Sequence, residues 1–349
     1  MRYLSLQPRT RGRIAWRALL LVCGLALLGA LVWGWNDFNR FSNTPLRVSA
    51  QDASVDVGRG ASFRSIVVEL RQRGVTRANA WYWRALAEQM HVAGKLRAGE
   101  YALAPGLTPR QLLANMAAGR VLQRNFTIVD GWTFSELQQA LAKVDHLRHD
   151  SANLDDAEIM RRIDAGGEVP EGRFLPETYA YVKGDSDLDV LRRAHDAMVK
   201  TLSALWPSRD PQLPLATPYE ALILASIVER ETGRADERAR IAGVFVRRLE
   251  NHMLLQTDPS VIYGMGAAYA GNIRKTDLTM DTPYNTYTRA GLPPTPIALP
   301  GKPALVAVLH PAAGSALYFV ARGDGAHVFA DTLSEHNRNV DCYQRKRCR

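Results

Sequence analysis

Residues 18–35 form a run without a single charge, Ala-Leu-Leu-Leu-Val-Cys-Gly-Leu-Ala-Leu-Leu-Gly-Ala-Leu-Val-Trp-Gly-Trp. As a helix, such a run is about long enough to cross a hydrocarbon core of ~30 Å. The seventeen residues before it carry Arg2, Arg9, Arg11, Arg13 and Arg17 and no acid. A cleaved signal peptide shares the basic flank, but its apolar region is ~7–15 residues and ends in small residues. This chain has Trp33 and Trp35 there. A buried core helix is the remaining alternative. The pattern favours a retained single-pass anchor over 18–36 behind a basic tail, 1–17. By the positive-inside rule that tail stays cytoplasmic and everything beyond about Asn36 is exported. No second apolar run of spanning length follows.

The arginines of the tail also explain the charge. The chain is formally +9, with 44 Lys and Arg against 35 Asp and Glu. Much of the excess sits at the two ends, the second being Arg345-Lys346-Arg347-Cys348-Arg349. The middle is near neutral and lacks the basic stripe interleaved with aromatics that nucleic-acid binding requires, so no nucleic-acid partner is expected. With 46% hydrophobic and 23% charged residues over 349 positions, disorder, collagen and coiled coil are excluded, and about two domains fit. Three cysteines cannot staple a disulfide scaffold. Neither C-x-x-C nor H-E-x-x-H occurs, so no metal or cofactor is expected. Cys342 and Cys348 could close a short terminal ring, and spacing alone leaves that pairing open.

The fold class expected for the whole is α+β. Residues 37–45, polar and ending in Pro45, read as a linker. A small α+β domain follows over 46–121, with helices opening at Ser62 and Ala80 and a strand over 98–103. Thr108-Pro109-Arg110-Gln111 has the form of a capping box and opens a helix stopping at Gly119. A larger mixed α/β domain occupies 122–349. It begins with the strand-like Phe126-Thr-Ile-Val129 and a second capping box, Thr133 to Glu136. Residues 146–167 read as loop with a short helix, and 188–205 as an amphipathic core helix.

Chemistry concentrates in Thr217-Pro-Tyr-Glu-Ala-Leu-Ile-Leu-Ala-Ser-Ile-Val-Glu-Arg-Glu-Thr-Gly233. Thr217, Pro218 and Glu220 suggest a third capping box, and residues 221–228 are apolar or small on every face, the mark of a helix buried all round. It ends in Glu229 and Glu231, with Gly233 placed as a C-terminal cap. A carboxylate there faces the negative end of the helix dipole and a low-dielectric core, both of which oppose ionisation. Such an acid can protonate a leaving group near neutral pH. The two glutamates lie about 200° apart around the axis, so one cleft uses only one of them. The competing reading is a solvated cluster with Arg230, Arg234 or Arg238.

These residues resemble the YceG-like, or MltG, endolytic murein transglycosylases. The resemblance runs through 171–179 (EGRFLPETY), 225–232 (ASIVERET), 255–264 (LQTDPSVIYG), 284–287 (YNTY), Gly291-Leu-Pro-Pro294, His310-Pro311, 318–320 and His336-Asn337. It implies a LysM-like first domain and a catalytic second domain. It makes Glu231 the catalytic acid, with Glu229 as its rival, and peptidoglycan glycan strands the substrate. Lytic transglycosylases use one carboxyl group, first as acid and then as base, to leave a 1,6-anhydro muramic end. The resemblance also implies peptidoglycan synthases as partners and the bacterial inner membrane as location, with the catalytic domain periplasmic.

Around Glu231, the expected glycan-binding residues are Gln256, Asp258, Tyr263, Asn285, Tyr287, Glu177 and Tyr179, with Glu229 beside them. A structural Asx-turn at Asp258 and plain loop packing of the tyrosines are the alternatives. His310, His327 and His336 lack ligand-like spacing and are read as structural. Two other functions stay open at this point, a hydrolytic muramidase and a non-catalytic glycan-binding scaffold.

Overall fold

The computed structural model describes residues 10–48 and 53–347. The chain divides into two compact units, 1–123 and 124–349. Mixed α+β architecture holds in both, and among the described residues every sheet has only two strands.

The first unit begins with one long helix, α1 (Thr10–Asn43). Its apolar stretch is exposed throughout and is the one helix among the described residues long and apolar enough to cross a membrane, consistent with a single-pass anchor. The expected linker over 37–45 is not a linker: the helix runs unbroken to Asn43. No Gly or Pro interrupts it between Trp35 and Asn43, and Phe38 and Phe41, three apart, turn to one face. That face packs on the domain core, with Phe41 5.4 Å from Trp83, while Ser42 is buried.

Beyond α1 the order is β1 (Ser54–Val57), α2 (Phe63–Gln72), α3 (Ala80–Gln89), β2 (Gly99–Ala102) and α4 (Pro109–Ala118). The two strands pair antiparallel, Ser54 opposite Ala102. Their inner residues Val55, Val57 and Tyr101 meet Leu70, Trp83, Leu86, Leu112 and Met116 in one core. The Thr108 capping box forms as read, and Gly119 ends α4 in the left-handed conformation at φ 69°.

The second unit contains β3 (Gln123–Thr127, its first residue just across the boundary), α5 (Phe134–Leu141), α6 (Asp156–Arg162), β4 (Thr178–Val182) and α7 (Asp187–Leu205). Then come α8 (Pro218–Glu231), α9 (Arg238–Glu250), α10 (Asp258–Met265), α11 (Lys275–Thr279) and α12 (Lys302–Leu309). The hairpin of β5 (Tyr318–Ala321) and β6 (His327–Ala330) and a last helix, α13 (Leu333–Tyr343), complete it. Cys342 is disulfide-bonded, while Cys348 lies outside the described residues.

The centre of this unit is α8. Every residue from Ala221 to Val228 is buried, packed against α7, α9, α10 and α12. Thr217 caps it by accepting from Glu220 N–H, but the expected reciprocal half of the capping box is absent. Glu220 instead accepts from Ala216 N–H, one residue earlier. Gly233 does not cap the other end either. Thr232 leaves the helix extended, at φ −148° and ψ 133°, and its hydroxyl accepts from Arg234 N–H.

Within residues 221–228 a single polar side chain interrupts the apolar surface of α8. Ser226 is fully buried, donates to Ile223 O at 2.7 Å and accepts from Ile297 N–H at 2.9 Å. It thus ties the irregular segment 281–300 to the core helix. Ser226→Ala leaves the Ile297 N–H buried without an acceptor. Urea unfolding should register a loss of about 1–3 kcal/mol.

Candidate active site

The two glutamates of α8 leave its last turn in different directions. Glu231 borders a cavity of about 550 Å³ whose wall also includes Arg248, Gln256, Asp258, Tyr287 and His327. Glu229 points elsewhere. Its carboxylate accepts from Gly301 N–H at 3.0 Å at the start of α12 and lies 3.8 Å from Arg238. There it meets the positive end of the α12 dipole, a structural role. Gly301 has no room for a side chain, since a Cβ would stand 2.3 Å from an Asp130 carboxylate oxygen.

The cavity is assembled from several elements. Leu255 and the start of α10 bring Gln256, Thr257 and Asp258 under the end of α8. Gln256 adopts φ +52°, a left-handed backbone rare for a residue with a Cβ, and its N–H reaches Thr286 O at 3.1 Å. Thr257, Ser260 and Thr286 form a buried hydroxyl cluster, with Thr257 N–H donating to Thr286 Oγ1 at 3.0 Å. From that fixed position the Thr257 hydroxyl donates to Glu231 Oε1. Opposite, Tyr287 donates to Asp258 Oδ1 at 2.6 Å.

Burial is the main cause that raises the Glu231 carboxyl to about 7. The Thr257 hydrogen bond works against that rise, the neighbouring Asp258 adds to it, and His327 opposes it. None of the three arginines considered from sequence holds Glu231. Arg230 donates to Gly131 O, Arg234 pairs with Asp236 at 2.6 Å, and Arg238 lies by Glu229.

The structure therefore brings Glu231, Gln256, Asp258 and Tyr287 together and leaves the other expected residues apart. Asn285 is fully buried and donates to the carbonyls of Asp277, Leu278 and Met280, while its own oxygen accepts from Tyr287 N–H at 2.9 Å. It shapes the loop that presents Tyr287. Tyr263 turns to Glu171 and packs edge-on against Tyr284 at 4.9 Å. Glu177 is exposed near Asp130, and Tyr179 donates to Leu175 O at 2.7 Å beside the core of the α5–α7 region.

Several cavity residues escape sequence reasoning. Arg248, 7% exposed, donates to Leu317 O, to Leu254 O and Leu255 O, and to Gln256 Oε1, and stacks over Tyr318. It binds β5 to the α10 approach. The signal was present: Ile241, Val244, Phe245 and Arg248 follow one helix face, and an arginine in an apolar register needs buried acceptors. His327 borders the cavity with Nδ1 2.8 Å from Glu237, and His336 stacks on Tyr318 at 5.2 Å. Sequence spacing alone reads both as structural, and both reach the cavity wall.

The YceG-like family pattern matches residues 55–342. The chain belongs to the YceG-like family. It is similar to the endolytic murein transglycosylase of Bacillus subtilis (strain 168), with 28% identity over 320 residues, 84% of this chain and 86% of that protein. The endolytic murein transglycosylase of Streptococcus pneumoniae serotype 2 is 26% identical over 279 residues, 70% of this chain and 50% of its own length. A solved yceG-like protein of Listeria monocytogenes superposes with a TM-score of 0.50 at 26% identity, covering 81% of this chain and 97% of that one. YceG-like membership supports an endolytic murein transglycosylase function.

Within this YceG-like chain, the segment 171–179 serves the fold. Glu171 accepts from Phe134 N–H at 3.1 and 3.2 Å, at the start of α5. Gly172, at φ +80°, lies where a Cβ would meet Pro296 at 2.5 Å, so only glycine fits. Phe174 stacks on Phe134 at 5.1 Å.

Two pH effects follow. Thr257→Val removes a bond that favours the ionised carboxylate, so the Glu231 carboxyl should titrate above about 7, read by carboxyl carbon NMR of labelled protein. Burial also lifts Glu171 to about 7 from 4.5. A group with a raised folded pKa stabilises fully below its unfolded value and loses that contribution as pH rises through the folded one. Glu171→Gln should flatten stability against pH between about 4.5 and 7, by on the order of 3 kcal/mol at most.

Proposed function

We propose that this chain is a membrane-anchored endolytic lytic transglycosylase of peptidoglycan, with Glu231 as its single acid and base. The observation that carries the reading is the position of Glu231. It stands at the end of a buried helix, is held by a threonine hydroxyl rather than an arginine, is lifted to about 7, and opens onto the cavity. At neutral pH such a carboxyl is partly protonated and can work in both directions.

In the proposed cycle the Glu231 carboxyl gives its proton to the oxygen bridging N-acetylmuramic acid and N-acetylglucosamine, and the C1–O bond breaks. The resulting carboxylate takes the proton of the muramic C6 hydroxyl as that oxygen closes on C1. The product is a 1,6-anhydro end, and Glu231 is protonated again. Because the sugar supplies the nucleophile, the two-carboxylate separations of hydrolytic glycosidases do not apply. Asp258, fixed by Tyr287, adds negative charge near the carbon that becomes electron-poor, and Gln256 and Tyr287 supply polar and aromatic contacts to the sugars.

The β-α-α-β order of the first unit, with its strands antiparallel, supports the LysM-like reading and hence a glycan contact there. The basic flank of α1 supports a cytoplasmic N-terminus with the catalytic unit in the periplasm of a bacterial cell. Glycan near that membrane is the substrate within reach, and peptidoglycan synthases acting on the same strands are the proposed partners.

Glu231→Gln should lower cleavage of purified sacculi by about 10²–10⁴-fold, with circular dichroism showing that the variant is folded. Mass spectrometry of the wild-type digest should give anhydro-muramic ends. Reducing muramic ends would instead identify a hydrolytic muramidase, and undiminished cleavage by the variant would remove Glu231 from the chemistry.

A further inference from the structure

The foot of the first unit holds a groove that the glycan chemistry does not use. Its volume is about 550 Å³, and Asp37, Arg40, Arg47, Arg77 and Tyr82 line it. Arg40, Arg47 and Arg77 are exposed. Among the described residues its one carboxylate, Asp37, accepts from the Tyr82 hydroxyl, and the three guanidinium groups outnumber it by two. Beside it Trp81 stacks on Tyr82 at 3.7 Å and is 55% exposed.

The depth of this groove follows from α1, and the inference rests on the anchor reading given above. Trp16 and Trp35 are both exposed near the ends of the apolar stretch. At 1.5 Å per residue they stand roughly 28 Å apart, the thickness of a hydrocarbon core with aromatic belts at both faces. Asp37 and Arg40 then lie about 3 and 8 Å beyond Trp35, within an interfacial layer roughly 5–8 Å deep. Because α1 continues unbroken and packs on α3, the groove and Trp81 are held at that level.

We propose that this groove binds the headgroups of anionic phospholipids, with Trp81 as an aromatic anchor in the interfacial layer. The arginines meet lipid phosphate, for which guanidinium is the best-matched side chain. The indole occupies the zone where one edge is wet and the other apolar. The site makes the first unit part of the membrane surface rather than a body suspended above it.

The test uses the full chain labelled with 5-fluorotryptophan in nanodiscs, the Trp81 fluorine line being assigned by its loss in Trp81→Phe. Headgroup-spin-labelled phosphatidylglycerol should broaden the lines of Trp33, Trp35 and Trp81. It should broaden Trp81 severalfold more than spin-labelled phosphatidylcholine at equal content. Each arginine should contribute up to about fivefold to the affinity that underlies this difference. The combined Arg40→Gln, Arg47→Gln and Arg77→Gln variant should abolish it, with the unshifted line of buried Trp83 certifying the fold. Equal broadening by both lipids overturns the headgroup site. Loss of the preference on adding soluble glycerol phosphate overturns the lipid as its ligand. If Trp33 and Trp35 broaden but Trp81 does not, the groove is not at the interface although the anchor stands. If none of the three broadens, the anchor reading itself fails.

Discussion

The burial of α8 on every side is the constraint on which the second unit depends. A helix without a polar face has to be enclosed, so α7, α9, α10 and α12 are arranged around it, and its end becomes the floor of whatever space remains. The acid at that end inherits two things from the packing. It loses water, which lifts its affinity for a proton, and it gains a fixed direction, because the residues before it do not move independently. The same packing sends Glu229 to the start of α12, where it accepts from Gly301 N–H. Two identical side chains, two residues apart, are thereby placed in unrelated surroundings by helical geometry.

Motif density and proximity to the cavity do not coincide in this chain. The segment 171–179 carried much of the family resemblance, yet its glutamate caps α5, its glycine lies against Pro296 and its phenylalanine fills a core. Asn285 likewise shapes the loop instead of facing the cavity. By contrast, the segment at 255–258 does both: Thr257 is part of a buried hydroxyl cluster and also holds Glu231.

Local chemistry made much of the fold legible. The Thr108 and Thr133 caps, the βα alternation of the first unit and the all-apolar interior of α8 are set within a few residues of one another, so a single sequence displays them. What was misread depends on contacts from far along the chain. The segment after Trp35 looked like a linker because its polar residues dominate the composition, while Phe38 and Phe41 find their partner in Trp83. The wall of the cavity draws on Tyr318, His327 and His336, from the far hairpin and last helix well past α9, and no local pattern announces that meeting. Glu231 itself was accessible to sequence reasoning because its setting, a greasy helix ending in an acid, is local.

The continuity of α1 has a mechanical consequence. On the proposed anchor reading, no swivel separates the bilayer from the first unit, which then behaves as the upper arm of a stiff rod. Spanning helices answer changes of hydrocarbon thickness by tilting. Here any such tilt is passed to the first unit in full, sweeping its far surface sideways across the membrane. Bilayer thickness thereby becomes a variable that steers the attached unit.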